Sequence, residues 1–237
     1  MVNKIGALLI SSNEPQLEQC LTSINNQTVP FASVVHMDNI IPESVAFNKG
    51  LGMSPDKWVM KINGDMILQE NAVETALHHM VDNDKVFTYN YILFDSFIKA
   101  NIYGCSVLLK SAYQLVRYPN MLSNDFYAGK KIQKSGLLKI APEGVIIGTH
   151  CLNPDDFQVF RRFYSFGVKH SKLHMSRRLK ILYEETKNIQ YKLALEALYL
   201  GFSKKHYPSS HNIDFDKQVY NNFIKENGYE DIYRIIT

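Results

Sequence analysis

Three apolar runs in the first 70 residues end on short polar turns whose side chains could hold a nucleotide. They are Ser11-Ser12-Asn13, Asp38-Asn39 and Asn63-Gly64-Asp65. A nucleotide needs an acceptor for base imino groups, hydroxyl or amide partners for ribose, and a cation beside the diphosphate. The sharpest of the three lies in VMKINGDMI, from Val59 to Ile67. A buried strand that stops on a carboxylate often delivers that carboxylate to a metal and a phosphate. Such a tip usually carries two acids spaced Asp-x-Asp, and here the first is the amide Asn63. The residues alone leave two readings open, a metal site short of one charge or a polar turn. Polar residues follow strands in any case, because loops run over the surface; three such tips together weaken that reading.

The elements that must position these turns follow from periodicity. IGALLIS reads as a buried strand, and EPQLEQCLTSINNQT follows with apolar residues at Leu17, Cys20, Leu21 and Ile24, a helical spacing with Pro15 in the first turn. FASVVHMD is the second strand, PESVAFNKGLGM a short helix ending near Gly50 to Gly52, and KWVMKIN the third strand. NAVETALHHMVDN reads as an amphipathic helix opened by an Asn cap. KVFTYNYILF and NIYGCSVLL are rich in aromatic and β-branched residues and read as strands. SNDFYAGKKIQKSG reads as a short helix closed by Gly136, and LLKIAPEGVIIGTH as two extended pieces bent at Pro142. From Asp155 onward the pattern is helical, with a break at HYPSSHN. Alternating strands and helices predict an α/β layered domain. If its strands are parallel, the three polar tips share one sheet edge, where ligands of open α/β sheets bind.

These stretches resemble a known family. ALLISSNEPQLEQCLTSINNQT is similar to the opening of family 2 glycosyltransferases of the GT-A fold. There a strand ends in a polar turn with Asn and Pro, and a helix closes on Cys-Leu-x-Ser-Ile/Leu-x-x-Gln-Thr. AFNKGLGMSPDKWVMKINGDMIL continues the likeness, with Asn48 and Gly50 in the helix before the Asp-x-Asp strand. The resemblance extends to about Gly167. It implies a GT-A-type three-layer nucleotide-binding sheet, mixed and mostly parallel, with a helical C-terminal appendage. The implied boundaries are a catalytic domain over 1–167 and a basic helical extension over 168–237.

The implied activity is metal-dependent, inverting glycosyl transfer from a nucleotide-diphosphate sugar to an acceptor hydroxyl. The implied cofactor is Mn2+ or Mg2+. Asp65 falls on the acid that coordinates the metal, and Asn63 on the one that more often serves ribose and metal-bound water. An amide can still make those hydrogen bonds, while one charge fewer predicts weaker metal binding without nucleotide. His150, which by itself would read as structural, falls where the family closes its metal site. Asp125, eleven residues before Gly136, falls on the carboxylate that deprotonates the acceptor, although Ser-Asn-Asp is also a helix cap pattern. Asp38 falls where the nucleotide base is met, with Ser11 and Asn13 beside it on the donor side. The chain departs from the family in placing Asn39 after Asp38 and in the short span between Asp38 and Asn48.

Composition narrows the setting. Cys20, Cys105 and Cys151 are scattered and odd in number, with no Cys-x-x-Cys pair, which predicts reduced thiols and a cytoplasmic location. The N-terminal apolar run of six is too short for a signal-peptide core, and no run of eighteen apolar residues occurs. Residues 161–205 hold eleven Lys or Arg against three Glu in a chain of net charge +3, so the remainder is acidic. Such a segment fits an ordinary solvated helix face, an anionic membrane or a nucleic-acid backbone. The acceptors to match are a glycan, a lipid-linked acceptor at the inner membrane face, or a modified DNA base, which a duplex would have to flip out. Arg161 and Arg162 could instead serve the donor diphosphate. A non-catalytic binding module is the rival from another class. A nucleotidyltransferase would want a Gly-rich basic loop after the first strand, which SSNEPQ does not supply.

Overall fold

A computed structural model describes residues 4–80, 83, 85–169, 174–204, 207 and 211–227. The chain divides into two compact units, Met1–Pro154 and Asp155–Thr237. The boundary expected after residue 167 differs from this division because helix α6, Asp156–Lys169, runs unbroken through that point. Part of the HYPSSHN break and residues 170–173 and 205 of the basic segment lie outside the described residues.

The first unit is a mixed α/β structure, as the sequence predicts, built on one sheet. Strand β1, Ile5–Ser11, is buried along its whole length. That explains an apolar run without alternation, since both faces are covered. Strands β2, Val34–Asp38, and β3, Trp58–Asn63, flank it, and both run parallel to it. Helix α1, Leu17–Asn25, and helix α2, Glu43–Met53, lie between these strands in the chain. The sheet order is completed by β4, Met66–Leu68, β5, Val86–Asp95, β6, Ala100–Leu109, and β8, Ile146–His150, as β2-β1-β3-β6-β5-β8-β4; β7, Leu138–Ile140, pairs with β5. Among the described residues β3–β6, β5–β6 and β4–β8 are antiparallel, while β5–β7 and β5–β8 are parallel. Helix α3, Ala72–His79, helix α4, Lys110–Val116, and helix α5, Asn124–Gln133, complete the unit.

Two elements escape sequence periodicity. Strand β4 is three residues long, and α4 follows β6 with no breaking residue between them. The expected Asn71 cap of α3 makes no side-chain capping bond. Instead Gln27, from the end of the first helical pattern, accepts from Val73 N at 3.0 Å and donates to Ser23 and Gln69 carbonyls at 2.8 Å. One buried amide thus ties α1, the β4–α3 turn and the α3 terminus together.

Strand β8 positions the far side of the site. It lies between β4 and β5, with His150 opposite both Met66 and Asp95. The Cys151 N–H donates to the Asp65 carbonyl at 3.1 Å, and the Ser96 N–H to the His150 carbonyl at 3.0 Å. Gly148 permits this close packing, because a Cβ there would stand 2.5 Å from the Ile67 carbonyl oxygen.

The second unit contains α6, α7, His174–Thr186, α8, Ile189–Ser203, and α9, Ile213–Glu226. Helices α6 and α8 touch backbone to backbone at Gly167 and Gly201, where a side chain on either would collide with a carbonyl of the other helix. Asp216, fully buried, forms an ion pair with Arg161, Oδ2 to Nε at 3.2 Å, and accepts the Tyr207 hydroxyl on Oδ1. Burial raises the Asp216 pKa to about 6, against the pull of Arg161 and Tyr207. No helix among the described residues is long and apolar enough to cross a membrane.

Gly148→Ala is expected to cost about 1–3 kcal/mol through overpacking against an immovable carbonyl. Urea unfolding checks it, and an unchanged midpoint would mean that β4 and β8 are not packed as described.

Candidate functional site

Parallel pairing decides where the polar turns go. Ser11 is in register with Asp38, and Ile10 with Asn63, so the three tips emerge side by side on one sheet edge. Buried Ser11 donates its hydroxyl to Asp38 Oδ1 at 2.6 Å, and its oxygen lies 2.8 Å from His36 Nε2. Asn39 donates to Asp38 Oδ2 at 2.9 Å and to Asn13 Oδ1 at 3.3 Å. Asn13 and Asn39 both take positive φ, 61° and 53°, a conformation that asparagine tolerates better than most residues. The result is a hydrogen-bonded patch of acceptors at the sheet edge, with the Asp38 carboxylate exposed.

Beyond it the β3–β4 turn carries Asp65. Its Oδ2 stands 3.2 Å from His150 Nε2, and His150 Nδ1 stands 2.7 Å from Asp95 Oδ2. Asp95, fully buried at the end of β5, accepts the Phe97 and Ile98 N–H groups on its other oxygen at 3.1 and 2.9 Å. Asp65 and His150, 85 residues apart in the chain, therefore form one edge. Among the described residues no group of three His, Cys, Asp or Glu side chains forms a complete cage for a metal. A divalent cation of the Mg2+ type nevertheless suits a site of few protein ligands, because it keeps waters and takes substrate phosphate oxygens. The carboxamide oxygen of Asn63, in the same turn, is buried without a hydrogen bond. An acceptor left in that state carries a desolvation cost that a ribose hydroxyl or a metal-bound water would remove. The residues present fit a cation of this kind.

The third group of expected residues lies at the start of α5. Ser123, in the left-handed region at φ 58°, makes no capping bond there; the Asn124 side chain accepts the Asp125 N–H at 2.7 Å. Neither Ser123 nor Asp125 caps the helix through its side chain, and the Asp125 carboxylate is exposed. Asn48 holds the approach to this turn with two bonds to the Tyr118 backbone, 3.0 Å to its carbonyl and 2.9 Å from its N–H. Lys61 connects the parts. It projects from β3 two residues before Asn63 and meets Glu43 at 2.7 Å. Burial acts to lower its pKa, but Glu43, with smaller contributions from Asp125 and Asp65, raises it above the ordinary value. The Asp65 and Asp125 carboxylates are therefore both felt by one half-buried ammonium.

Lys61, Glu43, His36 and Asp95 were not singled out from the sequence. A lysine inside an apolar strand was the available sign for Lys61. For Asp95 it was an acid closing a long apolar run, the same sign that marked Asp65. Arg161, expected on the donor diphosphate, is placed by the structure in the second unit beside Asp216.

No protein-family model matches the chain, and no curated protein matches its sequence. Solved structures do match its fold. A mannosyltransferase from Pyrobaculum calidifontis, in complex with GDP-Man and Mn2+, superposes with a TM-score of 0.56 at 12% identity, over 98% of this chain and 83% of that one. TarS from S. aureus superposes with a TM-score of 0.50 at 12% identity, over 76% of this chain. This chain spans 42% of the TarS length. A TarS fragment, residues 1–349, gives 0.50 at 10% identity over 84% of this chain and 72% of that one. At these identities the likeness is one of fold, the GT-A type.

The cysteines test the packing of β3 under the site. Cys20 and Cys105 donate to the Asn63 and Lys61 carbonyls, each at 3.6 Å, and burial pushes both thiols up to about 12. At pH 8 about one thiol in 10,000 is then ionised, and thiolate is the reactive form. Iodoacetamide should leave both unmodified in the native chain and alkylate both in urea, as read by mass spectrometry. Rapid native labelling would contradict this packing.

Proposed function

We propose that the first unit is a metal-dependent, inverting glycosyltransferase domain that moves a sugar from a nucleotide-diphosphate sugar to an acceptor hydroxyl. The observation that carries the reading is the Asp65–His150 edge, 3.2 Å wide, set beside the Ser11–Asp38 pair on one rim of the sheet. The GT-A-type fold supports it. Asp38 and Ser11 would receive the base and ribose, with Asn13 alongside. Asn63 would offer its buried carbonyl oxygen to a ribose hydroxyl or metal-bound water. Asp65 and His150 would hold Mn2+ or Mg2+. Bound there, the cation would neutralise the charge that develops on the leaving diphosphate.

Asp125 is the candidate general base. Its carboxylate is exposed and near enough to Lys61 to act on it electrostatically, and in this reading it would take the proton from an acceptor hydroxyl as that oxygen attacks the anomeric carbon. Lys61 and Glu43 form a pair of zero net charge, so in this reading the bound cation, not Lys61, would offset the acids that face the diphosphate. The acceptor we favour is a glycan or lipid-linked hydroxyl; for the latter, the basic segment 161–205 is compatible with an anionic membrane surface. Arg161 is engaged with Asp216, and the donor site proposed here does not need it.

The neutral Asn63 favours one rival, a GT-A-like module that binds nucleotide or glycan without catalysis. Two variants separate the readings. Asp65→Ala should abolish Mn2+-dependent binding of nucleoside diphosphates, measured by calorimetry. Asp125→Asn should keep donor binding and lower transfer or donor hydrolysis about 10²–10⁴-fold. Activity unchanged in both variants would sink the mechanism. Binding of glycan in the absence of any nucleotide binding, with or without Mn2+, would favour the rival.

A further inference from the structure

We propose that Asp95 is a positioning residue that sets the tautomer of His150, so that Nε2 presents its lone pair to the cation held at Asp65. The role rests on the metal reading of the Asp65–His150 edge. Asp95 is fully buried and faces His150 directly across the parallel β5–β8 pairing. A buried carboxylate is costly unless its oxygens are hydrogen-bonded. Here one oxygen takes the Phe97 and Ile98 N–H groups at 3.1 and 2.9 Å, and the other takes His150 Nδ1 at 2.7 Å. Two N–H donors on Oδ1 suit the carboxylate form, whose oxygens only accept, so in the proposed role Oδ2 takes a proton carried on Nδ1. In the neutral ring Nε2 is then the unprotonated nitrogen, and it is the one 3.2 Å from Asp65 Oδ2. A carboxylate behind a ligating histidine fixes ring orientation and makes the ligand more basic.

The geometry supplies its own control. In Asp95→Asn the two backbone N–H groups would hold the amide oxygen where Asp95 Oδ1 now lies, because an NH2 turned toward them would set donor against donor. The amide NH2 would then face Nδ1, which would have to accept, and the proton would move to Nε2. Fold and packing volume would be kept while the polarity of one bond is reversed. A merely structural Asp95, serving only the turn at Phe97 and Ile98, would show no such reversal.

The test uses the full-length chain, ¹⁵N-labelled at histidine, at a pH where the ring is neutral. Long-range ¹H–¹⁵N spectra give the tautomer of His150, assigned by the peak lost in His150→Gln. Mn2+ titration followed by EPR, with UDP or GDP as probe, gives metal affinity. The wild-type ring should carry its proton on Nδ1. Asp95→Asn should carry it on Nε2 and bind Mn2+ about 10–100-fold more weakly. A wild-type ring protonated on Nε2 overturns the role, and does so even where Asp95→Asn fails to fold. So does a folded Asp95→Asn with wild-type tautomer and wild-type Mn2+ affinity. Absence of Mn2+ binding by the wild-type chain with either nucleotide overturns the metal reading itself. That outcome is distinct from the case in which wild type and Asp95→Asn bind Mn2+ equally well.

Discussion

The parallel alignment of β2, β1 and β3 is the constraint from which the site follows. Parallel neighbours end on the same side, and their hydrogen-bond register is fixed by the buried apolar residues along β1. A slip of one residue would turn Ser11 away from Asp38 and mismatch the side chains packed on both faces of β1. With the register in place, Ser11, Asp38 and Asn63 stand on one rim, and the turn after Asn63 delivers Asp65 to it. Cys20 from α1 and Cys105 from β6 add weak thiol contacts to the β3 carbonyls below that rim.

A second constraint completes the site from the other half of the unit. Strand β8 enters between β4 and β5, and its last residue faces an acid on each side. The two acids differ in environment. Asp95 is sealed in the sheet with its oxygens engaged, while Asp65 stands at the rim, a quarter exposed. That difference suits one carboxylate to orienting the imidazole and the other to meeting a ligand. Asn63 beside them lowers the negative charge, so in the proposed reading the nucleotide diphosphate supplies much of what draws the cation in.

The second unit rests on different physics. Its α6–α8 contact depends on two glycines that let helix backbones touch, and a buried Asp216 is compensated by Arg161 and Tyr207. Breaking one partner of such a buried pair is more damaging than the pair's own net contribution suggests. The basic character of 161–205 is therefore partly internal to this unit, since Arg161 answers a buried acid.

By itself, the sequence determined the α/β class, most elements of the first unit and the three polar strand ends, because local periodicity and turn chemistry are written in neighbouring residues. Asp65 was legible as a strand-tip carboxylate, and His150 and Asp125 only through the likeness of their surroundings to a family. Tertiary structure decided the rest. The pairing of His150 with Asp65 and Asp95 spans up to 85 residues and depends on strand order, which periodicity does not encode. Lys61 reads as an intrusion in an apolar strand until Glu43 is seen to meet it from α2. The unit boundary moved to 154–155 because α6 begins there, a matter of contacts and not of composition. Short β4 was invisible for a simpler reason: three residues are too few to show a period, and only pairing with β8 makes them a strand.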